Sequence, residues 1–218
     1  HFSPTIDYHR FVLLRNLERL GLRATTNVIR RGFYPKGGAI VEASIHPGIP
    51  SNWNCTERGK LREITIISGA SGVLSKARVA ERQAAAAEEP LRRLIEAEIN
   101  TRIEYYDCLS PGSQINIIAD FEHTTIGSDS IGKRGKRAEE VGREAAEGFL
   151  REFFSEACID RFAGDQILPY LATADGASTI SVSQITEHAK TNMWVIGQFL
   201  NRQFEIKDCK TYKIISVF

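Results

Sequence analysis

A break in hydrophobic pattern divides this chain and limits how it can fold. Between Pro47 and Gly59, the residues Gly48, Pro50, Ser51 and Asn52 interrupt any period, which marks a linker. Before it, Ile6, Phe11, Leu14 and Leu17 recur at helical spacing. With Ser3 as N-cap and Pro4 at the first helical position, this predicts a helix from Pro4 to Leu20. Two strand-like runs follow, Ala24–Arg30 and Ala39–Ile45, which form a hairpin around the Gly- and Pro-punctuated segment Arg31–Gly38.

Past the break the pattern changes. Leu61–Ile67 is β-rich, Lys76–Glu89 is an alanine-rich helix, and Pro90 is placed to start a new helix reaching Glu98. Strands are expected at Thr101–Asp107 and Gln114–Phe121, joined by the turn Leu109–Ser113, with a long helix from Arg137 to Glu156. Residues 60–157 thus predict a small self-contained βαββα unit. A helix at Asp165–Ala172, a strand at Ser178–Val182, a helix at Thr191–Leu200 and a pair of strands at Phe204–Asp208 and Thr211–Val217 complete an α+β chain. Its two ends pack together and its middle is inserted between them.

Composition narrows the function classes. At 218 residues the chain exceeds an average domain, and 28 Lys+Arg against 27 Asp+Glu leave a net charge of +1. Nucleic acid held by bulk charge would need a strong basic excess, so any such contact must be local. No apolar run approaches the roughly 20 residues that cross a bilayer, so no membrane partner is expected. Cys55, Cys108, Cys158 and Cys209 contain no C-x-x-C pair and predict reduced thiols in a cytoplasmic protein, with no metal site. The start at His1-Phe2-Ser3-Pro4 reads as the interior of a protein, so a preceding segment is expected.

Several residues are candidates for chemistry. His188 stands in a polar stretch before a helix that Thr191 or Asn192 can cap, where a helix N-terminus would favour an anion beside the imidazole; the plain alternative is a surface histidine on a loop. Phe162, Ala163, Gly164, Asp165 and Gln166 put a ring, a carboxylate and an amide at a helix start. That combination suits a purine, or simply an N-cap at Asp165 with Phe162 as hydrophobic staple. Ser68–Gly72 has the glycine spacing of neither the dinucleotide fingerprint nor the P-loop and reads as a turn. Lys133-Arg134-Gly135-Lys136-Arg137 and Lys36 are candidate phosphate contacts, against the alternatives of a solvated helix start and a hairpin turn.

Four segments together carry a resemblance: Arg31-Gly32-Phe33-Tyr34-Pro35-Lys36-Gly37-Gly38, the run Gly132–Gly142, Asp165-Gln166, and His188-Ala189-Lys190-Thr191-Asn192. In order and spacing they resemble the RNA 3′-terminal phosphate cyclases over essentially the whole chain. The resemblance implies an N-terminal portion before Ser3. It also implies a main domain of repeated units, each a small sheet backed by two helices and similar to the C-terminal half of a bacterial initiation factor, with an inserted thioredoxin-like α/β domain. Main-domain parts would lie at 1–58 and 158–218, with the insert at 59–157.

The implied activity is ATP-dependent conversion of an RNA 3′-phosphate to a 2′,3′-cyclic phosphate, releasing AMP and diphosphate. His188 would be the catalytic nucleophile and carry a covalent AMP. Phe162, in place of the commoner tyrosine, would sandwich adenine against Pro4, with Tyr8 nearby and Ala163, Gly164, Asp165 and Gln166 beside the nucleotide. ATP, a divalent Mg or Mn ion and an RNA ending in a 3′-phosphate are the implied ligands, and a homo-oligomer is admitted. A related non-catalytic branch that serves ribosome assembly lacks the histidine, whereas His188 is present here.

Overall fold

The computed structural model describes residues 3–218. A continuous first helix runs through Ile6–Tyr8 (α1), a π-helical turn at His9–Leu13 and Leu14–Arg19 (α2). It starts later than the sequence predicts. Thr5, not Ser3, is the N-cap, with its Oγ1 accepting the Tyr8 N–H at 3.2 Å, and Pro4 lies outside the helix. Tertiary contacts select Thr5: its hydroxyl donates to Asn116 Oδ1 at 2.6 Å and its N–H donates to Asp129. The hairpin is as expected, with β1 (Arg23–Arg30) antiparallel to β2 (Ile40–His46).

The expected linker contains a short strand, β3 (Asn54–Cys55), that pairs in parallel with β8 (Ser178–Val182). With β9 (Phe204–Asp208) and β10 (Lys213–Val217) it makes a four-stranded sheet of order β3-β8-β10-β9. Helices α5 (Arg161–Thr173) and α6 (Glu187–Phe199) bury Ala163, Ile167, Leu168, Ala189 and Ile196 in one core with Ile180, Val182, Ile215 and Val217 of this sheet and Leu13, Leu17 and Leu20 of the first helical segment.

The middle segment runs β4 (Leu61–Ser71), α3 (Val79–Leu94), β5 (Ile99–Tyr106), β6 (Ser113–Phe121), β7 (Thr125–Ile131) and α4 (Ala138–Phe154). Its sheet order is β5-β4-β6-β7, with β4 and β5 parallel and the other neighbours antiparallel. One face buries Ile64, Ile66, Ile115 and Ile117 against Ala84, Leu91, Val141 and Phe149 of α3 and α4. On the other face Ile67 and Ile118 join the core that holds Tyr8 and Val12, so the unit is not self-contained.

Two departures from the expected order have physical causes. Strand β7 went unpredicted because Gly127, Ser128, Asp129 and Ser130 carry no apolar alternation. The strand is polar and small because the first helix lies against it: a Cβ on Gly127 would sit 2.6 Å from Val12 Cγ2. Pro90 does not begin a helix but lies inside α3. The buried stripe Ala80, Gln83, Ala84, Ala87, Leu91 is continuous across it, and that burial outweighs the hydrogen bond the proline cannot donate.

Helices α3 and α4 approach closely at Gly142, where a Cβ would meet the Gln83 carbonyl oxygen at 2.1 Å. Backbone cannot swing aside as a side chain can. Gly142→Ala should therefore cost about 2 kcal/mol by forcing the helices apart. Gly197, in the exposed part of α6, has nothing within 4 Å, and Gly197→Ala should add about 0.5–1 kcal/mol from helix propensity. Paired denaturant titrations should show opposite signs; equal effects would contradict the packing described.

Candidate functional site

The site forms where the first turns of α5 and α6 come together. Helix α5 starts four residues before Asp165: its N-cap is Asp160, whose Oδ1 accepts the N–H groups of Phe162 and Ala163, both at 3.0 Å. The N-cap reading of Asp165 is thereby corrected. Local chemistry allows either aspartate to cap, and Asp160 prevails because other elements also bond to it. Its Oδ2 accepts the Gly127 N–H of β7 at 3.0 Å, and the buried Tyr8 hydroxyl donates to Oδ1. One carboxylate thus ties the first helix, β7 and α5 together.

Burial, reinforced by the nearby Glu152 carboxylate, pushes the Asp160 carboxyl up to about 7, against the opposing pull of its N–H and Tyr8 donors. Burial also raises the Tyr8 phenol well above its ordinary value, with the Asp160 charge adding to it.

Phe162 is half-buried, with the Tyr8 ring edge-on at 6.2 Å and 88° and the Arg161 guanidinium 4.7 Å from its ring centre. Ala163 and Gly164 are buried, and a Cβ on Gly164 would meet Val182 at 3.2 Å; both support the helix start from the core side. Gln166 is half-buried, its Nε2 donating to the Phe162 carbonyl at 3.2 Å. Pro4 is half-buried directly before the Thr5 cap.

Helix α6 also begins earlier than expected. Thr186 is its N-cap, accepting the Ala189 N–H at 3.0 Å, so His188 stands in the first turn and not on a preceding loop. Thr191 and Asn192, the expected caps, lie inside the helix. Asn192 has another task, donating from Nδ2 to the Asp165 carbonyl at 2.8 Å. The Thr186 hydroxyl donates to Asp165 Oδ1 at 2.5 Å, so the buried Asp165 carboxylate is fixed at the same turn as the exposed His188. Burial raises the Asp165 carboxyl, while the Thr186 bond and the His188 charge pull it back.

The structure therefore brings Asp165 and His188 together, and separately joins Tyr8 to Phe162. Sequence reasoning missed Asp160, Thr186 and Arg161. An aspartate directly before the helix was the available signal for the first and a threonine two residues before the histidine for the second. Arg161 carried none. Among the described residues no group of three His, Cys, Asp or Glu side chains is placed to hold a metal ion. Among the described residues no helix is long and apolar enough to cross a membrane. The four cysteines are free.

A cleft of about 530 Å³ lies between the hairpin and the first helix. A polar joint lines it: Arg31 grips Asp7 through both terminal nitrogens, at 2.5 and 2.8 Å, and lies 4.3 Å over the Tyr106 ring.

A family model for RNA 3′-terminal phosphate cyclase matches residues 1–206. Proteins named RNA 3′-terminal phosphate cyclase are similar over 94% of this chain in each of three archaea. Identity is 42% in Thermococcus gammatolerans, 43% in Thermococcus onnurineus and 41% in Methanopyrus kandleri. The matches cover 59%, 60% and 60% of those proteins, so the chain spans about three fifths of the length of the curated relatives it matches. On the extent of these matches, the chain belongs to the RNA 3′-terminal phosphate cyclase family.

Proposed function

We propose that the protein uses ATP to convert an RNA 3′-terminal phosphate to a 2′,3′-cyclic phosphodiester through an AMP carried on His188. The observation that carries this reading is that the Thr186 cap fixes the Asp165 carboxylate at the same first turn of α6 that carries His188, in a chain of this family. The N–H groups of Glu187 and His188 have no carbonyl of their own helix to bond, and with the positive end of the helix dipole they suit the phosphates of ATP.

In the first step Nε2 of neutral His188 attacks the α-phosphorus. An N–P bond forms, a P–O bond breaks, and diphosphate leaves. The fixed Asp165 carboxylate stabilises the positive charge that develops on the ring as Nε2 bonds phosphorus. An oxygen of the RNA 3′-phosphate then takes the AMP, and the adjacent 2′-hydroxyl closes the ring and expels AMP. Activation is needed because a phosphate monoester has no good leaving group, whereas the anhydride offers AMP to a neighbouring hydroxyl.

Adenine is assigned to the space between Phe162 and Pro4, with Tyr8 and Arg161 holding the Phe162 ring and Gln166 at its margin. A Mg or Mn ion enters with the triphosphate, because substrate phosphates supply many of the ligands of such ions. The core that the β5-β4-β6-β7 sheet buries against α3 and α4, and the order of that sheet, support an insert at 59–157 of thioredoxin-like type between main-domain parts at 1–58 and 158–218.

The test is incubation of the complete protein with ATP, Mg²⁺ and an oligoribonucleotide ending in a 3′-phosphate. The expected product is a phosphatase-resistant end, with one AMP and one diphosphate released per end closed. Ends that stay phosphatase-sensitive while the protein is folded would contradict the reading.

A further inference from the structure

Net charge near zero conceals a local concentration of cations. The turn Leu109–Gly112, at one end of the β5-β4-β6-β7 sheet, is a hub on which three distant segments meet. The hairpin loop reaches it through Lys36 N–H to Ser110 Oγ at 3.1 Å, and through the Phe33 ring, which lies where a Cβ on Gly112 would go. The end of β4 reaches it through Ser71 N–H to the Gly112 carbonyl at 2.9 Å, and the segment after β7 lies alongside through Gly132 N–H to the Ser113 carbonyl at 2.8 Å. Helices α3 and α4, which follow the last two segments, are also linked by Arg82 to Glu139 at 2.7 Å.

This convergence brings exposed Lys36, Lys76, Arg78, Lys133, Arg134 and Arg137 to one end of the sheet. Among the described residues, five of the six have no carboxylate within 4 Å; Arg78 reaches Glu81 only at 4.0 Å. The neighbouring acids are engaged elsewhere: Glu139 by Arg82, Glu140 by the Arg137 N–H, and Glu144 by Lys136 and Ser130. Asp107 is exposed at the same end and offsets one charge. Tyr34, in the same hairpin loop, is 92% exposed and presents a free ring.

A row of unpaired cations beside an exposed aromatic is the chemistry that holds single-stranded nucleic acid, by phosphate contact and base stacking. The position fits as well. On β7, Gly127 bonds Asp160 and Asp129 bonds Thr5 next to Pro4, and Lys133 follows Asp129 by four residues, about 13 Å of extended chain. We propose that this end of the sheet holds the single-stranded RNA leading to the reacting 3′ end, with Lys133, Arg134 and Lys36 on phosphates and Tyr34 beneath a base. The proposal rests on the cyclase reading for its choice of RNA.

The experiment measures binding of a fluorescent oligoribonucleotide with a 3′-phosphate by anisotropy across a salt series. In parallel, AMP attachment is followed with ATP and Mg²⁺ alone. Lys133→Ala/Arg134→Ala should weaken RNA binding about tenfold at low salt and reduce the log–log salt slope by about 1.4, two phosphates' worth for a single strand. AMP attachment should be unchanged. Tyr34→Ala should weaken binding about tenfold with the slope unaltered.

If the double variant melts early, Lys36→Ala carries the test with one phosphate's worth of slope, about 0.7. A double variant that keeps the parent affinity and slope overturns the proposal. So does competition by polyglutamate as effective as by RNA, which would assign the surface to an acidic protein. Failure of the parent protein to gain AMP, with the predicted slope change intact, overturns the catalytic reading and supports this surface.

Discussion

His188→Ala is expected to lower AMP transfer from ATP by about a thousandfold or more, while ATP binding and the melting temperature stay near their parent values. A nucleophile that forms the intermediate cannot be replaced by its neighbours, and such losses are among the largest that single substitutions produce. Stability should be spared because His188 is exposed and the cap of its helix belongs to Thr186. Thr186→Val distinguishes positioning from chemistry. It removes the Ala189 cap and the bond to Asp165, so transfer should slow about ten- to a hundredfold with the AMP still found on His188. Single-turnover rates with radiolabelled ATP measure both. A His188→Ala protein that transfers AMP at the parent rate would remove the histidine from the mechanism.

Asp160→Ala is expected to produce the largest loss of stability, about 4 kcal/mol. It leaves the N–H groups of Gly127, Phe162 and Ala163 and the Tyr8 hydroxyl without their acceptor in the buried centre of the protein. Against a typical net stability of 5–15 kcal/mol that is a large share, and the melting temperature should fall by about 12 °C. Asp160→Asn keeps one acceptor oxygen and should cost less.

The same residue predicts a pH dependence. Its folded-state value near 7 lies above the unfolded value of about 3.9, so the folded protein holds this proton more tightly. The contribution favours folding at acid pH and is lost as pH rises through about 7. Asp160→Asn should flatten that decline between about pH 4 and 7 in denaturant titrations; an undiminished decline would assign it to other groups.

The three misplaced helix starts share one cause. Ser3 and Thr5, Asp160 and Asp165, and Thr186 and Thr191 are each rival caps close together in sequence, and local chemistry does not rank them. Tertiary bonds make the choice: Thr5 is anchored by Asn116 and Asp129, Asp160 by Tyr8 and Gly127, and Thr186 by Asp165. The hairpin and strand β8 were legible because periodicity and turn residues are local signals. Strand β7 was not, since its polar residues are buried by a helix more than a hundred residues away in sequence. His188, Phe162, Asp165 and Gln166 became candidates through the order of the motifs. The capping geometry that places them appears only when α5 and α6 are packed.

Intact-mass analysis of the complete protein after incubation with ATP and Mg²⁺ decides whether His188 carries AMP. Peptide mapping at neutral or alkaline pH then locates the acid-labile phosphoramidate. A single AMP on His188, absent from His188→Ala, is the predicted result. A folded protein that binds ATP but gains no AMP, or gains it on Lys190, would remove His188 as the carrier; the first outcome would leave the non-catalytic branch of the family as the better reading.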